Sequence, residues 1–411
     1  MWPSNRVIVA GGGIAGVSVV TALRSGGYLG EIVLIDEAEL PYDRPPLSKD
    51  FLSGPRDLEE IALRPLEWYA ENHVELVAKS SVQAFAASED RVEVRVSSGA
   101  ELAGEYLVLA TGGRATVPAL PGLVGAMRAG RVHTLRDHQD AERLRQVLKP
   151  GTRLLIVGAG LIGAEVASTA ALLGCKVVLV DPLDPPLAGA TGRDVAKWLH
   201  DEHRAHGVES VVGSLLSLQP TSAGIAAQLD STDASREFDA ILIGIGITPR
   251  SDLAEDAGLE VDRGVLVDAR QVASHPRVLA IGDVARVRDQ HRTEHWEAAK
   301  HDGERAAATI LGIELPSATA SWWWSDRHGR HIEGVGNMSD SSASTSIVVR
   351  GAIGADSFSV FTMRNGRIIG AVAADDSQAV RAARRLIDRQ IAVDPDCLAD
   401  TGSDLRKLLR R

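Results

Sequence analysis

The apolar positions of this chain gather in short continuous runs. RVIVA from Arg6, EIVLI from Glu31, YLVLA from Tyr106, RLLIV from Arg153, KVVLV from Lys176, AILI from Ala240 and RVLAI from Arg277 are too short for helices and rich in β-branched residues. Such runs read as buried strands. After the first and the fourth of them the spacing changes to a helical one, in AGVSVVTALRSGG and LIGAEVASTAALLG. Beyond Ser321 it changes again, to SIVVRG, FSVFTM and RIIGAVA separated by glycine and polar turns, and then to one helical stretch, SQAVRAARRLIDRQI. The first part predicts an α/β fold and the last a small α+β layer.

Each of the two strand-to-helix passages holds a glycine pattern. Gly11, Gly13 and Gly16 fit GxGxxG, and the next strand ends in Asp36 and Glu37, about 20 residues after the last glycine. Gly158, Gly160 and Gly163 repeat the pattern, and their second strand ends in Asp181. The first glycine permits a tight turn, the second lets backbone approach a pyrophosphate, and the third lets helix pack on strand. The carboxylate is placed for a ribose hydroxyl. Two dinucleotide sites are therefore expected. Asp181 would repel a 2′-phosphate and no arginine directly follows it, which favours NADH over NADPH. EYLVLATGG and AILIGIGITPR each run from a strand into a glycine turn, as where a chain leaves one nucleotide domain for another, so the domains are expected to be nested. In RVLAIGDVA, Gly282 and Asp283 close a strand and bring a carboxylate toward a polar, hydroxylated ligand chain, with a helix cap as the plainer use of Asp283.

Composition narrows the choice. With 411 residues and 45% hydrophobic content, two or three domains are expected. The net charge of -11, from 44 Lys plus Arg against 55 Asp plus Glu, argues against general nucleic-acid binding. No apolar run approaches the roughly 20 residues of a spanning helix, and the N-terminus enters a strand without a cleavable apolar leader, so a cytoplasmic protein acting away from membranes is expected. Cys175 and Cys397 form no CxxC, which leaves a disulfide framework, a metal site and a dithiol centre without support.

The paired glycine turns, ATGG, GIGITP and AIGD, with PYDRPPLSK at Pro41–Lys49 and EHWEAA at Glu294–Ala299, resemble the NADH-dependent ferredoxin and rubredoxin reductases of bacterial oxygenase and cytochrome P450 systems. Apoptosis-inducing factor resembles the chain more distantly. The likeness runs from Arg6 to about Ile391 and implies two nested Rossmann-like domains plus a C-terminal α+β domain. FAD would bind residues 1–113 with 244–320, NADH would bind 114–243, and 321–411 would form the last domain. For FAD the resemblance implies Gly11, Gly13, Ala15 and Gly16 at the pyrophosphate and Asp36, with neighbouring Glu37, at the ribose. It adds Arg44, Lys49, Val82 near adenine, Thr111 and Gly112, Arg136, Gly282, Asp283 at the ribityl chain and Trp296 at the flavin ring. For NADH it implies Gly158, Gly160, Leu161, Ile162, Gly163, Asp181 and Gly246. Lys49 would lie beside flavin N5, where a fixed cation stabilises the reduced ring, and Glu165 would approach the nicotinamide and pair with that lysine. Outside the resemblance, Lys49 reads as a loop lysine and Glu165 as a helix-surface residue.

The implied activity is hydride transfer from NADH to FAD and passage of electrons singly to an iron-sulfur ferredoxin or to rubredoxin, by a monomer or homodimer. An NADH oxidase or quinone reductase, and an NADH-sensing protein like apoptosis-inducing factor, remain the alternatives. Arg381, Arg384 and Arg385 share a helical face and, with Arg327, Arg330 and His331, are expected to form a positive island for an acidic partner. Trp322, Trp323 and Trp324 read as core. Asp181 is shorter than the glutamate common at its place in such reductases, the stretch LDPPLAGATGRDV lacks an arginine that many of them carry, and His301, Asp302 and Gly303 replace a glutamine-rich segment.

Overall fold

Alternate residues of the first strand face opposite ways, and both faces are covered. Val7 and Val9 pack under the helices Ile14–Ser25 and Trp296–Leu311, whereas Ile8 and Ala10 pack against Val92, Val94 and Val96 of a small antiparallel sheet. That double burial is why RVIVA carries no polar alternation, while VEVRV, with one face in water, alternates between buried and exposed residues. The computed structural model describes residues 5–54, 56–339, 342 and 344–410. Contacts divide the chain into two units. One comprises Met1–Arg44, Arg56–Arg114 and Ile247–Ser317, and the other Pro45–Pro55, Ala115–Gly246 and Ala318–Arg411.

In the first unit five parallel strands run in the order Val278–Ala280, Tyr106–Leu109, Arg6–Ala10, Glu31–Ile35, Val74–Val77. The strand order reverses at Arg6–Ala10, whose two neighbours come from later in the chain on opposite sides. A crevice opens beyond the carboxyl end of such a strand, and the first glycine turn occupies that place. The antiparallel sheet Val82–Ala87, Val92–Val96, Glu101–Gly104 backs this layer.

The second unit repeats the plan. Its parallel order is Glu209–Val212, Lys176–Asp181, Arg153–Val157, Ala240–Ile243, Val132–His133, with the second glycine turn after the strand where order reverses. It too has a three-stranded antiparallel sheet, Leu215–Pro220, Ile225–Leu229, Arg236–Phe238. The C-terminal part is a five-stranded antiparallel sheet, Trp322–Arg327, Arg330–Gly336, Arg367–Ala374, Phe358–Arg364, Thr345–Arg350. One face receives the helix Ser377–Asp388, whose N-terminus is capped by the Asp376 carboxylate. The other receives Val195 and Leu199 of the helix Arg193–Ala205, and Trp198 meets Phe358 edge-on at 4.9 Å. The tryptophan triplet lies on a strand: Trp323 is buried, and Trp322 and Trp324, two apart, stack at 4.9 Å on the opposite face. No helix among the described residues is long and apolar enough to cross a membrane.

The helices Ile14–Ser25 and Trp296–Leu311 approach closely at Gly303, where an added Cβ would lie 2.7 Å from the Ala15 carbonyl oxygen and 2.8 Å from the Val19 nitrogen. Backbone cannot yield as a flexible side chain does. Gly303→Ala should therefore lower stability by about 1–3 kcal/mol in urea denaturation, although alanine is the better helix former by up to ~1 kcal/mol. Gly125→Ala, on the helix Leu123–Arg128 and facing open space, is the control, expected to be neutral or stabilising.

Candidate active site

In the first unit Gly11 has φ +116°, a conformation open mainly to glycine, and a Cβ on Gly16 would sit 1.9 Å from the Gly11 carbonyl oxygen. Turn and helix are thereby drawn together, and no acidic residue occupies the helix's first turn, so its amides are left to an anion. The Asp36 carboxylate fixes the turn from the adjacent strand, accepting from the Gly12 N–H at 2.5 Å and the Ala38 N–H at 2.8 Å. Burial raises the Asp36 pKa, with these N–H groups and Arg44 partly offsetting it. Glu37 pairs with Arg250 at 2.9 Å, so of the two carboxylates at this strand end Asp36 is the one joined to the turn.

A cleft of ≈ 280 Å³ opens here, lined by Gly11, Gly13, Asp36, Glu37, Arg44, Val82 and Thr111 together with Arg250, Asp252 and Asp256. The last three were not evident from the sequence, because a distant segment that includes the short helix Asp252–Asp256 brings them in. Arg44 Nε is buried without a hydrogen-bond partner among the described residues, and a Cβ on Gly13 would come within 3.2 Å of Arg44 Nη1. An unsatisfied guanidinium N–H beside a glycine turn fits a pyrophosphate. Gly112 completes the turn near Thr111, its carbonyl accepting from the Arg250 N–H. Ala15 packs toward Gly282, and Asp283 lies inside the single turn Gly282–Val284, where Ile281 is the cap residue. Trp296 opens its helix, and its indole N–H donates to Asp43 at 2.7 Å. Asp302 accepts from the Gly282 N–H at 3.1 Å and the Gln271 amide at 3.0 Å, and burial lifts its carboxyl to about 6. The unusual His301–Gly303 stretch thus anchors the turn bearing Asp283 and admits the close helix contact.

The second unit reproduces the first turn. Gly158 has φ +100°, a Cβ on Gly163 would meet the Gly158 oxygen at 1.9 Å, and Asp181 accepts from the Ala159 and Leu183 N–H groups at 2.8 and 2.9 Å. Gly160 caps the helix that Leu161 and Ile162 begin, Gly246 closes the turn opposite Thr116, and the Arg136 N–H donates to Asp140. Glu165 lies on that helix and is buried. Its two oxygens accept from the hydroxyls of Ser48, at 2.5 Å, and Ser325, at 2.7 Å. Lys49 Nζ stands 3.4 Å from Glu165 and 2.6 Å from Asp326, over the Trp324 ring at 5.5 Å. Burial works against the charge of Asp326, but Lys49 and His331 outweigh it and hold its pKa below the ordinary aspartate range. Lys49 and Glu165 are thus neither a free loop lysine nor a surface glutamate. Ser48, Ser325 and Asp326 were missed, since hydroxyls and carboxylates far apart in sequence signal nothing locally, and His331, expected on a positive island, is instead joined to Asp326.

The family model described as "Pyridine nucleotide-disulphide oxidoreductase" matches residues 5–303, and that described as "Reductase C-terminal" matches 322–409. The chain belongs to the pyridine nucleotide-disulphide oxidoreductase family. It is 34% identical over 412 residues to the benzene 1,2-dioxygenase system ferredoxin--NAD(+) reductase subunit of Pseudomonas putida, covering 99% of this chain and 98% of that protein. To the rhodocoxin reductase of Rhodococcus erythropolis it is 30% identical, over 98% and 94% of the two chains. Among solved structures it is similar to the covalent putidaredoxin reductase–putidaredoxin complex, with TM-score 0.90, 30% identity and 99% of each chain covered. FAD and NADH are the cofactors implied by this membership. Although the family takes its name from a disulphide, Cys175 and Cys397 are both free.

The expected positive island is reduced. Arg327 is 5% exposed, with Nε and Nη2 lacking partners among the described residues; burial lowers its pKa to about 10, Glu165 partly opposing this. It lies on the inward register of a strand whose next residues make the hairpin, so it cannot serve a surface. Arg330 pairs with Asp375 and His331 with Asp326, leaving Arg381 and Arg385 exposed on the last long helix. Beside Arg327, His328 Nε2 and His203 Nδ1 are 2.8 Å apart and His206 stacks on His328 at 4.2 Å.

Two measurements follow from these geometries. Arg44→Ala should weaken FAD retention by about 10- to 100-fold, the worth of a charge-assisted hydrogen bond, read from flavin fluorescence released on dilution. Burial, with Arg327 and neighbouring histidines, pushes His203 down to about 2, and burial, with His206 and Arg327, pushes His328 down to about 4. The unfolded chain therefore binds protons that the fold refuses, and stability present above about pH 6.5 is lost as pH falls toward 4, by up to ~1.4 kcal/mol per pH unit for each ring. Urea denaturation at pH 5 and 7 should show this slope flattened in His328→Gln.

Proposed function

We propose that this chain is an NADH-dependent ferredoxin reductase that binds FAD at the first glycine turn and NADH at the second. Electrons would pass singly to an iron-sulfur ferredoxin, or to rubredoxin, that serves an oxygenase or cytochrome P450. The reaction would take place in the cytoplasm, by a monomer or homodimer, without nucleic acid or membrane. The observation that carries this reading is the pairing of half-buried Lys49 with buried Glu165, held by Ser48, Ser325 and Asp326.

Bound FAD supplies the conversion between a two-electron donor and one-electron acceptors. The protein's share is alignment and electrostatics. In the first unit the amides at the start of the helix Ile14–Ser25 and the Arg44 guanidinium would hold the pyrophosphate, and Asp36 the ribose. In the second, Gly158, Gly160 and Gly163 would admit the NADH pyrophosphate. Asp181, already fixed by two N–H groups, would accept from the adenosine ribose and repel a 2′-phosphate, giving the preference for NADH. Lys49 would stand at the reacting atoms, faced by the carboxyls of Glu165 and Asp326, and Glu165 would orient it and the nicotinamide. With no dithiol to relay the pair, electrons would leave directly to the partner.

Purified protein should be yellow and bleach on mixing with NADH. Lys49→Ala or Glu165→Gln should slow that bleaching by roughly 10- to 1,000-fold in stopped flow, the scale of losing one preorganised electrostatic group. NADPH should give a lower kcat/KM than NADH. Bleaching at unchanged rate in both variants would remove the two residues from the mechanism, and higher turnover with oxygen or a quinone than with any ferredoxin would overturn the acceptor class.

A further inference from the structure

A hydride carries two electrons and one proton, whereas an iron-sulfur protein takes electrons alone. The proposed reaction balances as NADH + 2 oxidised ferredoxin → NAD+ + 2 reduced ferredoxin + H+. One proton per turnover must therefore leave the site, and Lys49 faces two carboxylates that offer it very different ways out.

Glu165 is a closed end. Its side chain is 7% exposed, and each oxygen already receives a hydroxyl hydrogen, from Ser48 at 2.5 Å and Ser325 at 2.7 Å. Asp326 is open. Its Oδ2 lies 2.6 Å from Lys49 Nζ and its Oδ1 2.5 Å from His331 Nδ1, so one carboxylate bridges the lysine to an imidazole. The His331 side chain is 39% exposed, and Nε2, on the far side of the ring, lies 3.6 Å from Glu333 Oε1. The Glu333 side chain is 9% exposed, and its Oε2 has no hydrogen-bond partner among the described residues, so this carboxyl faces the far side of the ring. Asp375 accepts the His331 backbone N–H at 2.9 Å and is engaged by Arg330 at 3.1 Å. Asp326, Glu333, Asp375, Arg330 and, through Asp326, Lys49 are thus the charged groups around this ring.

We propose that Lys49, Asp326 and His331 form the exit for the proton left when electrons depart to the acceptor. The idea rests on the proposed function, in which Lys49 stands at the reacting atoms. A proton reaching Lys49 displaces one of its own hydrogens to Asp326 Oδ2, breaking an N–H bond and forming an O–H bond. At rest the His331 ring donates its Nδ1–H to Asp326; once Asp326 is protonated, the exposed ring turns to present its unprotonated Nε2, takes the proton there and releases its Nδ1 hydrogen to water. Lys49 and Asp326 return to their starting charges, and the exposed ring has room to turn and reset. His331 is on this account a relay, without contact with nicotinamide or flavin.

The test uses holoprotein reduced with one equivalent of NADH and then mixed with ferricyanide, a one-electron acceptor that takes no proton. In His331→Gln and His331→Phe, reoxidation should slow by about tenfold or more, far beyond any change in NADH bleaching. Its solvent deuterium isotope effect should rise, and free imidazole should restore much of the rate. A second readout needs no turnover: nitrogen NMR of the His331 ring in resting protein should report a changed tautomer and titration midpoint in Asp326→Asn. Wild-type reoxidation rates in both His331 variants, with no imidazole response, would overturn the relay and send the proton from Asp326 straight to water. A wild-type protein that NADH fails to bleach would instead sink the proposed function, and the relay with it.

Discussion

A carboxyl as enclosed as that of Glu165 is accommodated only when its oxygens find partners. The partners come to the helix bearing Glu165 from two stretches that sequence keeps far apart: Ser48 and Lys49 before the first antiparallel sheet, and Ser325 on the first strand of the C-terminal sheet. Removing either hydroxyl would leave a buried oxygen of Glu165 without that hydrogen bond. The local structure of the second unit, from the burial of the 45–54 segment to the register of Trp322–Arg327, is consistent with that single electrostatic demand.

The two glycine turns are nearly superimposable in their constraints, down to the 1.9 Å that bars a side chain at Gly16 and Gly163. They differ in what borders them. Beside the first stands an arginine with an unanswered N–H, suited to gripping a ligand for long periods. The second helix carries Glu165 one turn in, tied to Lys49. A resident group at one turn and a visiting one at the other accords with that contrast, and explains why one chain holds the same device twice.

What was legible in the sequence was local. The glycine turns, the strand ends at Asp36 and Asp181, and the parallel α/β class depend on sterics within about thirty residues, which spacing records directly. Lys49 and Glu165 entered only through resemblance, because their meeting spans the fold. Asp326, Ser48 and Ser325 were not foreseen, His331 was expected on a positive island rather than beside Asp326, and Arg327 was assigned to the wrong side of its strand. A period of two puts alternate residues on opposite faces, but WWWSDRHGRH contains no clean polar–apolar alternation to tell which face is inward. The small antiparallel sheets also escaped notice, since stretches such as VQAFAA are weakly patterned and are stabilised by the layer they back. His301–Gly303 stood out as unusual before any reason was apparent; the reason is a hydrogen bond to Gly282 and a backbone contact with another helix.

The chain crosses between its two units at residues 44/45, 55/56, 114/115, 246/247 and 317/318. Neither unit is one contiguous piece, so neither can be exchanged as a cassette. A chimera that takes its C-terminal sheet from a relative would inherit new neighbours for Glu165 unless residues 45–54 travel with it. Recombination between such reductases is therefore constrained to keep two distant segments in linkage, and that short helical segment should drift in step with the strand bearing Ser325 rather than with the sequence on either side of it.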